Sequence, residues 1–226
     1  MKIAMIDLRK MGGNMSRRLA RDGHEIVAYD VSTEAVSALA DELDGVTPAH
    51  DPASVIANLA TPRVIWLMVP HQYVDQTIDA LLAAGLAPGD LVVDGGNSNY
   101  KLSRERAARL SETGMLFADC GTSGGVWGLE NGYSLMIGGS DAAISLLEPA
   151  LQSLAPSAKT GWGHVGPAGA GHYVKMVHNG IEYGLMQAYA EGFELMQARE
   201  DMALDLQQIA SIWQHGSVVR SWLLDL

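Results

Sequence analysis

Short apolar runs alternate with segments of helical periodicity over the first 165 residues. The runs at 2–6, 25–29, 63–69, 91–94, 116–119 and 134–137 end at turn residues, and each is predicted to be a strand. Helices are expected at about 14–21 and 33–43, from the Asp51-Pro52 pair onward, and at 142–154, with a short segment at 46–49. Strands that alternate with helices at this spacing form βαβ units, so we expect a mostly parallel, doubly wound α/β sheet.

The pattern changes after about Gly166. Residues 167–197 show no strand signal, and residues 205–226 are again helical in pattern. We therefore expect two domains, an α/β domain over 1–165 and the start of an all-α domain over 166–226. Because the helical pattern has not wound down by Leu226, the second domain is expected to be incomplete.

Composition narrows the functional classes. With 48% hydrophobic and 18% charged residues, the chain is typical of a soluble globular protein. A net charge of −11 argues against a nucleic-acid partner, because phosphate backbones are bound by clustered Lys and Arg. There is no basic leader and no apolar run near the ~20 residues of a membrane span. The single Cys120 excludes an internal disulfide and indicates a reducing compartment, so we expect the cytoplasm.

The turn after the first predicted strand has the position of a dinucleotide-binding loop. Such a loop in a Rossmann-type sheet reads G-x-G-x-x-G and holds a pyrophosphate at the N-terminus of the next helix. The six positions here are Asp7-Leu8-Arg9-Lys10-Met11-Gly12, so only the third glycine remains. Asp7 adds negative charge near the phosphates, and Arg9 adds a side chain where backbone should approach. We expect weakened cofactor affinity, which the positive charge of Arg9 partly compensates.

Asp30 ends the second predicted strand, near the spacing of an acid that accepts hydrogen bonds from the adenosine ribose. A carboxylate at this place would repel a 2′-phosphate, so NAD is favoured over NADP as the cofactor. The alternative is that Asp30 only ends the strand or caps a helix.

The densest candidate chemistry lies on the helix predicted after Gly166. Five polar residues are spaced i, i+3, i+4, i+7 and i+8, which places them on one helix face. They are Lys175, His178, Asn179, Glu182 and Tyr183. In a desolvated cleft, a lysine amine can act as a general base and a glutamic acid as a general acid. The alternative is a solvated polar face with an ordinary Lys–Glu pair.

Apolar residues surround this polar face. A neighbouring stripe consists of Val174, Val177, Ile181, Leu185 and Ala188. Met176 and Met186 add further apolar surface, so we expect the helix to be buried on most sides.

The run Val174-Lys-Met-Val-His-Asn-Gly-Ile-Glu-Tyr183 resembles 6-phosphogluconate dehydrogenases in their shorter, usually NAD-linked form. The resemblance spans 1–226 in order and continues in Asp94-Gly-Gly-Asn-Ser98, Gly121-Thr-Ser-Gly-Gly-Val-Trp-Gly128 and Gly132-Tyr-Ser-Leu-Met-Ile-Gly-Gly139. The related β-hydroxyacid dehydrogenases share the early layout and the lysine, but they typically lack the glutamate after the asparagine.

The resemblance implies oxidative decarboxylation of 6-phosphogluconate to ribulose 5-phosphate and carbon dioxide, a step of the pentose phosphate pathway, without a metal. It implies that Lys175 takes the proton of the C3 hydroxyl and that Glu182 protonates C1 of the resulting enediol. The residues implied to hold the substrate are Asn97, Ser123, Gly124 and Gly125 for the carboxylate and hydroxyls, His178 and Asn179 for the sugar, and Tyr183 for the phosphate.

Cofactor contacts and assembly are implied in the same way. The cofactor contacts would be Leu8, Arg9, Lys10, Met11, Gly12, Asp30, Met68, Val69 and Pro70, with Asn97 near the nicotinamide. Family members commonly dimerise through the helical region, so a homodimer or higher homo-oligomer is expected. Their later C-terminal segments supply basic phosphate-binding residues, which would lie beyond Leu226.

Simpler interpretations stay open for several of these residues. The run 123–125 could be only a turn, and Asn97 could be a helix N-cap. Cys120 is better explained as a small residue at a buried strand end than as a nucleophile, because no partner base is evident. His164, His172 and His215 lack the spacing of metal ligands. For the whole chain, the alternatives are a β-hydroxyacid dehydrogenase that does not decarboxylate and a catalytically silent protein whose nucleotide turn has decayed.

Overall fold

The computed structural model describes residues 1–226, and strands alternate with helices as far as residue 166. The strands are β1 (Lys2–Ile6), β2 (Glu25–Tyr29), β3 (Val46–Pro48), β4 (Val64–Leu67), β5 (Leu91–Asp94), β6 (Leu116–Ser123), β7 (Ser134–Gly139) and β8 (Trp162–Gly166). The helices are α1 (Lys10–Arg21), α2 (Thr33–Glu42), α3 (Pro52–Ala57), α4 (Val74–Ala83), α5 (Tyr100–Ser111), α6 (Gly128–Asn131), α7 (Asp141–Leu154), α8 (Ala170–Gln197), α9 (Leu206–Trp213) and α10 (Trp222–Asp225).

All eight strands belong to one sheet, in the order β3-β2-β1-β4-β5-β6-β7-β8. Neighbouring strands are parallel except for β6 and β7, which are antiparallel. Because β1 to β6 run in the same direction, their carboxyl ends lie along one edge of the sheet, where doubly wound folds bind ligands. The predicted fold class, a doubly wound α/β sheet followed by helices, is confirmed.

The core lies on both faces of the sheet. Side chains alternate across β1, so Ile3 and Met5 belong to one apolar cluster while Ala4 and Ile6 belong to the other. Helices α1 and α7 contribute to the first cluster, and α3 and α4 contribute to the second. This two-sided burial explains why the strands appear as continuous apolar runs in the sequence.

Several boundaries differ from those predicted. Helix α1 begins at Lys10 rather than near Asn14. The start was predicted too late because Gly12 and Gly13 are weak helix formers, yet both are buried within the first turns of the helix. Strand β6 continues to Ser123, and β8, α4 and α5 were not predicted. Within 205–226, only α9 and α10 are α-helical.

The chain divides into two compact units, Met1–Lys175 and Met176–Leu226, and α8 runs through the division. The first unit contains the whole sheet. Within the second unit, the rings of Phe193 and Trp213 are 5.6 Å apart, and the Tyr189 hydroxyl donates to the carbonyl of Val219. The domain boundary expected at 165/166 stays a prediction.

Helix α8 is not buried on most sides, which corrects the expectation from its apolar residues. Met176 is 51% exposed, Ile181 61% and Met186 47%, and only Gly171 and His172 are buried in the whole helix. Helical spacing identifies an apolar stripe, but it does not say what covers the stripe. None of the helices combines the length and apolar character that a bilayer crossing requires.

A buried ion pair generates the first prediction. Arg106 of α5 donates to the buried carboxylate of Asp94 at 3.0 Å and to Asp75 of α4 at 2.8 and 2.9 Å. Arg106→Leu leaves Asp94 buried without its counter-charge, so we expect a loss of about 3–5 kcal/mol in the free energy of unfolding, measured by urea denaturation. Arg109→Leu, on the same helix, breaks only exposed pairs, with Asp79 at 2.8 Å and with Asp75 at 4.0 Å, and should cost less than about 1 kcal/mol. Equal losses for the two variants would contradict this assignment.

Candidate active site

Helix α8 is attached to the sheet by one buried carboxylate. Asp119 of β6 has no solvent exposure. It accepts hydrogen bonds from the backbone amides of Gly169, at 2.5 Å, and His172, at 2.7 Å. These amides lie at the start of α8, where backbone donors lack partners inside the helix. Burial raises the pKa of Asp119, and the two backbone hydrogen bonds only partly offset this rise.

The start of α8 is also attached to α5. The imidazole Nδ1 of His172 lies 2.7 Å from the hydroxyl of Ser103, and both residues are buried. One residue further on, the ring of Tyr173 meets that of Tyr100 edge to face, with centroids 5.3 Å apart. The first turns of α8 are therefore held by the sheet on one side and by α5 on another.

Three glycines let the helix approach the sheet closely. A Cβ on Gly121 of β6 would lie 2.5 Å from Cβ of Lys175 and 2.7 Å from the carbonyl oxygen of Gly171. A Cβ on Gly138 of β7 would lie 2.8 Å from the amide of Gly171, and one on Gly171 would lie 2.4 Å from the carbonyl oxygen of Met136. No side chain fits at any of these positions, so the backbones of helix and sheet meet directly. Lys175, which is half-buried, consequently lies against β6.

The loops at the ends of β5 and β6 contain the other predicted substrate residues of the first unit. Ser123 is the last residue of β6, and Gly124 and Gly125 follow with φ angles of 125° and 49°, which side-chain-bearing residues rarely adopt. Asn97 is exposed after β5. The N-cap of α5 is Asn99, so the interpretation of Asn97 as a helix cap is wrong.

The second unit contains the other four residues of the polar face predicted on α8, which are His178, Asn179, Glu182 and Tyr183. Nδ1 of His178 lies 3.2 Å from the side-chain oxygen of Asn179 and 3.6 Å from a carboxylate oxygen of Glu182. His178 and Glu182 are partly exposed, and Tyr183 is 69% exposed. Helix α8 is continuous through all five predicted positions.

A cavity of about 550 Å³ lies beside the carboxyl ends of β1, β2 and β4. Of the predicted cofactor contacts, it is lined by Arg9, Asp30, Val69 and Pro70. Its other lining residues are Ile6, Asp7, Tyr29, Val31, Pro52, Tyr73, Gln76, Thr77 and Ala80, and none of them was among the predicted contacts. Leu8, Lys10, Met11 and Gly12 belong to the adjacent turn and helix start, and the thioether of Met68 faces the indole of Trp66 at 3.2 Å.

Asp30 is held rigidly at the edge of this cavity. One carboxylate oxygen accepts from the amide of Leu8 at 2.7 Å, and the other accepts from the amide of Ser32 at 2.8 Å. The remaining lone pairs of the two oxygens leave capacity for ribose hydroxyls. The adenosine end of a dinucleotide therefore fits the residues that are present.

The turn between β1 and α1 is closed by its own charged residues. Asp7 has a φ of 77°, a left-handed conformation, and its carboxylate accepts from both the amide and the guanidinium of Arg9. Gly12 packs so tightly behind the turn that a Cβ would lie 1.9 Å from the carbonyl oxygen of Asp7. A carboxylate therefore already takes the amide of Arg9, one of the backbone donors that the pyrophosphate of a dinucleotide would use.

Comparison with protein families agrees with this architecture. Residues 2–164 match the model of the NAD binding domain of 6-phosphogluconate dehydrogenase, and residues 171–203 match the model of its C-terminal domain. The chain belongs to the 6-phosphogluconate dehydrogenase family. A relative from Haloferax volcanii, named as an NAD(+)-dependent, decarboxylating 6-phosphogluconate dehydrogenase, is 48% identical over the full chain. A putative 6-phosphogluconate dehydrogenase of Bacillus subtilis is 40% identical.

Solved structures of this family and its neighbours share the fold. The 6-phosphogluconate dehydrogenase of Plasmodium falciparum superposes over the whole chain with a TM-score of 0.90 and 31% identity. The 3-hydroxyisobutyrate dehydrogenase of Mycobacterium tuberculosis superposes over 98% of the chain with a TM-score of 0.79 and 27% identity. The chain spans 73% and 74% of the Haloferax and Bacillus relatives, and half of the Plasmodium chain.

Sequence reasoning missed the residues that hold α8 in this 6-phosphogluconate dehydrogenase fold. Asp119 and Ser103 are separated from their α8 partners by 53 and 69 positions, which helical spacing does not connect. Two signals were available: an aspartate inside an apolar strand needs partners, and the strand glycines Gly121 and Gly138 indicate close backbone approach.

The remaining candidates contribute no further chemistry to the site. Cys120 is fully buried within β6, and burial raises the pKa of its thiol to about 12. A thiol with that pKa is not a nucleophile at neutral pH, which agrees with its interpretation as a packing residue. No three His, Cys, Asp or Glu side chains come together in an arrangement that could hold a metal ion.

The buried carboxylate generates the second prediction. Asp119→Ala leaves the amides of Gly169 and His172 without acceptors, so we expect a loss of about 2–4 kcal/mol in the free energy of unfolding. Hydrogen exchange should also become faster at the first turn of α8. Asp141→Ala removes a fully exposed acid from the first turn of α7 and should cost less than about 1 kcal/mol. Unchanged exchange at Gly169 and His172 in Asp119→Ala would show that the carboxylate does not anchor the helix.

Proposed function

We propose that this chain acts as a 6-phosphogluconate dehydrogenase that oxidises and decarboxylates 6-phosphogluconate to ribulose 5-phosphate and carbon dioxide, with NAD as the oxidant. The observation that carries the proposal is the position of Lys175. Lys175 lies on a helix whose start is hydrogen-bonded to β6 and α5. The Cβ of Lys175 lies against Gly121, two residues before Ser123. A base held on rigid elements meets the positional demands of proton transfer.

The proposed proton chemistry begins at Lys175. The neutral amine takes the proton of the C3 hydroxyl as the C3 hydride leaves. NAD, held at the cavity beside Asp30, would supply the acceptor for that hydride. The protonated amine then donates a hydrogen bond to the new C3 carbonyl. This polarises the β-keto acid, so the C1 carboxylate leaves as carbon dioxide and its bonding electrons form the C2–C3 double bond. The proton of the ammonium passes to the C3 oxygen, which gives the enediol and returns the amine to its neutral form.

Glu182 is proposed to complete the reaction by protonating C1 of the enediol while the amine of Lys175 takes the proton of the neighbouring hydroxyl, which yields the ketose. Its neighbour His178, 3.6 Å away, is one turn earlier on α8 and can steady the carboxyl group. His178 and Asn179 are proposed to bind the sugar, and Tyr183 its phosphate. The pair of base and acid divides the two proton transfers between separate side chains, as the two transfers occur at different carbons.

The substrate carboxylate and hydroxyls are proposed to bind Asn97 and the run 123–125. The support is local geometry: the left-handed Gly124 and Gly125 form a turn at the end of β6, and Asn97 is exposed after the neighbouring strand β5. Backbone amides of such glycine turns bind anions well.

NAD is proposed as the preferred cofactor because Asp30 is fixed at the cavity edge by the amides of Leu8 and Ser32. A carboxylate accepts ribose hydroxyls and repels a 2′-phosphate. The relative from Haloferax volcanii is named as NAD(+)-dependent, which is consistent with this choice. The pentose phosphate pathway and the cytoplasm are proposed as its metabolic setting.

Self-association is proposed for the second unit. Apolar side chains are exposed along α8, with Ile181 at 61% and Leu195 at 72%. Exposed apolar patches of this kind mark interaction surfaces, and a homodimer or higher homo-oligomer would cover them.

Two rival functions follow from specific observations. The likeness to 3-hydroxyisobutyrate dehydrogenase favours oxidation of a β-hydroxyacid without loss of carbon dioxide. The closed Asp7–Arg9 turn favours a protein that keeps the fold without turnover. The ratio of products and the requirement for Lys175 distinguish both rivals from the proposal.

The third prediction concerns Lys175. With 6-phosphogluconate and NAD, the purified chain should release carbon dioxide and form NADH in a one-to-one ratio, and Lys175→Ala should lower kcat by at least about 10²–10⁴-fold. Lys159→Ala, an exposed lysine outside the site, should leave turnover unchanged. NADH without carbon dioxide would support the first rival, and no turnover at saturating NAD by a folded chain would support the second.

The fourth prediction concerns Glu182. Glu182→Gln removes the proposed acid but keeps the size of the side chain, so kcat should fall by about 10²–10⁴-fold. In heavy water, deuterium incorporation at C1 of ribulose 5-phosphate should slow in parallel. Glu191→Gln, on the same helix and paired only with Gln187, serves as the control. Unchanged turnover in Glu182→Gln would remove Glu182 from the mechanism.

A further inference from the structure

The carboxylate of Asp7 is fully engaged by Arg9. One oxygen accepts from the Arg9 amide at 3.1 Å and from its Nε at 2.9 Å, and the other accepts from Nε at 2.9 Å and lies 2.7 Å from Nη2. The Asp7 side chain is only 12% exposed, whereas that of Arg9 is 65% exposed. The acid is therefore built into the turn, and the guanidinium lies on its outer side.

Two backbone donors of the turn are already taken in this state. Turns at a helix N-terminus bind phosphate through backbone amides that point outward. Here the Leu8 amide is used by Asp30 and the Arg9 amide by Asp7. Asp7 thus occupies, with its own negative charge, a donor that a phosphate would use.

Arg9 is itself a potential phosphate ligand. Guanidinium groups bind phosphate through two parallel hydrogen bonds, and Arg9 lines the same cavity as Asp30. In the present arrangement its charge is neutralised by Asp7. Its hydrogen bonds to the Asp7 carboxylate stabilise the charged guanidinium and so raise the pKa of Arg9.

We propose that the Asp7 carboxylate competes with the dinucleotide phosphates for the amide and guanidinium of Arg9, and that Arg9 becomes a phosphate ligand once Asp7 releases it. Dinucleotide binding then requires the Asp7–Arg9 pair to open, after which the guanidinium transfers from the carboxylate to a phosphate. This inference rests on the proposed function only in taking a dinucleotide as the ligand. It differs from simple loss of the glycine motif, because it gives Arg9 a favourable role.

The two substitutions should accordingly have opposite effects on NAD affinity. Asp7→Asn keeps the size of the side chain and a residue that tolerates positive φ, but removes the competing charge. We expect NAD to bind roughly 10–100-fold more tightly to Asp7→Asn and to Asp7→Gly, as one charge-assisted hydrogen bond is worth that much. Arg9→Gly should bind NAD more weakly than the unmodified chain, because Asp7 loses its counter-charge.

The double variant Asp7→Gly/Arg9→Gly decides between a ligand and an obstacle. If Arg9 binds phosphate, the double variant should bind NAD more weakly than Asp7→Gly alone. If Arg9 only blocks the approach of the backbone, the double variant should bind more tightly, and the proposal is overturned. Absence of measurable NAD binding by both Asp7 variants would overturn it as well.

The experiment is isothermal titration of the full chain and its variants with NAD, ADP-ribose and adenosine. ADP-ribose contains the pyrophosphate and should reproduce the ranking seen with NAD. Adenosine contains no phosphate, so its affinity should change less than about twofold. Equal changes for adenosine would mean that the substitutions alter the cavity generally, which contradicts the proposal. Thermal unfolding of each variant confirms that it is folded.

These titrations contain no 6-phosphogluconate, so they are independent of turnover. A chain that fails to oxidise the substrate but shows the expected ranking would sink the proposed function and leave this inference standing. The converse result, turnover without the ranking, would do the opposite. Raising the salt concentration should weaken NAD binding more in Asp7→Gly than in the unmodified chain, because a freed guanidinium adds a screened contact.

Discussion

A carboxylate without solvent exposure sets the position of the helix on which the proposed chemistry depends. Asp119 lies inside the sheet, where burial disfavours its charge, yet it supplies the only acceptor found for two amides at the start of α8. Because its pKa is raised in the folded chain, ionising Asp119 costs the folded state more as the pH increases. That cost is tolerated where an apolar residue would leave two backbone donors unpaired. The same carboxylate therefore contributes to the stability of the fold and to the placement of α8.

The sequence was most informative where one local rule decided the structure. The strands at 2–6, 25–29 and 91–94 were predicted with the bounds that they have, because a strand covered on both faces is a continuous apolar run. The start of α3 followed from Asp51, which forms the expected capping box. Strand β8 escaped notice because Trp162–Gly166 contains two glycines and has no buried residue. The ladder of hydrogen bonds to β7 forms this strand, although its own residues do not indicate one.

The candidate site was predictable in its residue types and not in its support. Spacing alone grouped the polar residues of α8, since a helix converts intervals of three and four into a face. The contacts of Asp119, Ser103 and Gly121 join distant parts of the chain, and no local pattern encodes them. At the nucleotide turn, the conflict of charge was visible in the sequence. That Arg9 would fold back on Asp7 was not, because two residues this close can pair or diverge depending on a single φ angle.

The meeting of Gly121, Gly138 and Gly171 has a consequence for how this chain can vary. Even alanine at any one of these positions would place a methyl group within 2.4–2.5 Å of its neighbours. The contact between sheet and helix therefore leaves no room for a side chain at these three positions, so substitutions can accumulate only elsewhere in the chain. A library of random substitutions should show these three positions as intolerant as the residues that perform chemistry, although none of them carries a functional group. Intolerance to substitution at this contact would reflect how closely the two backbones approach each other, and not chemical reactivity.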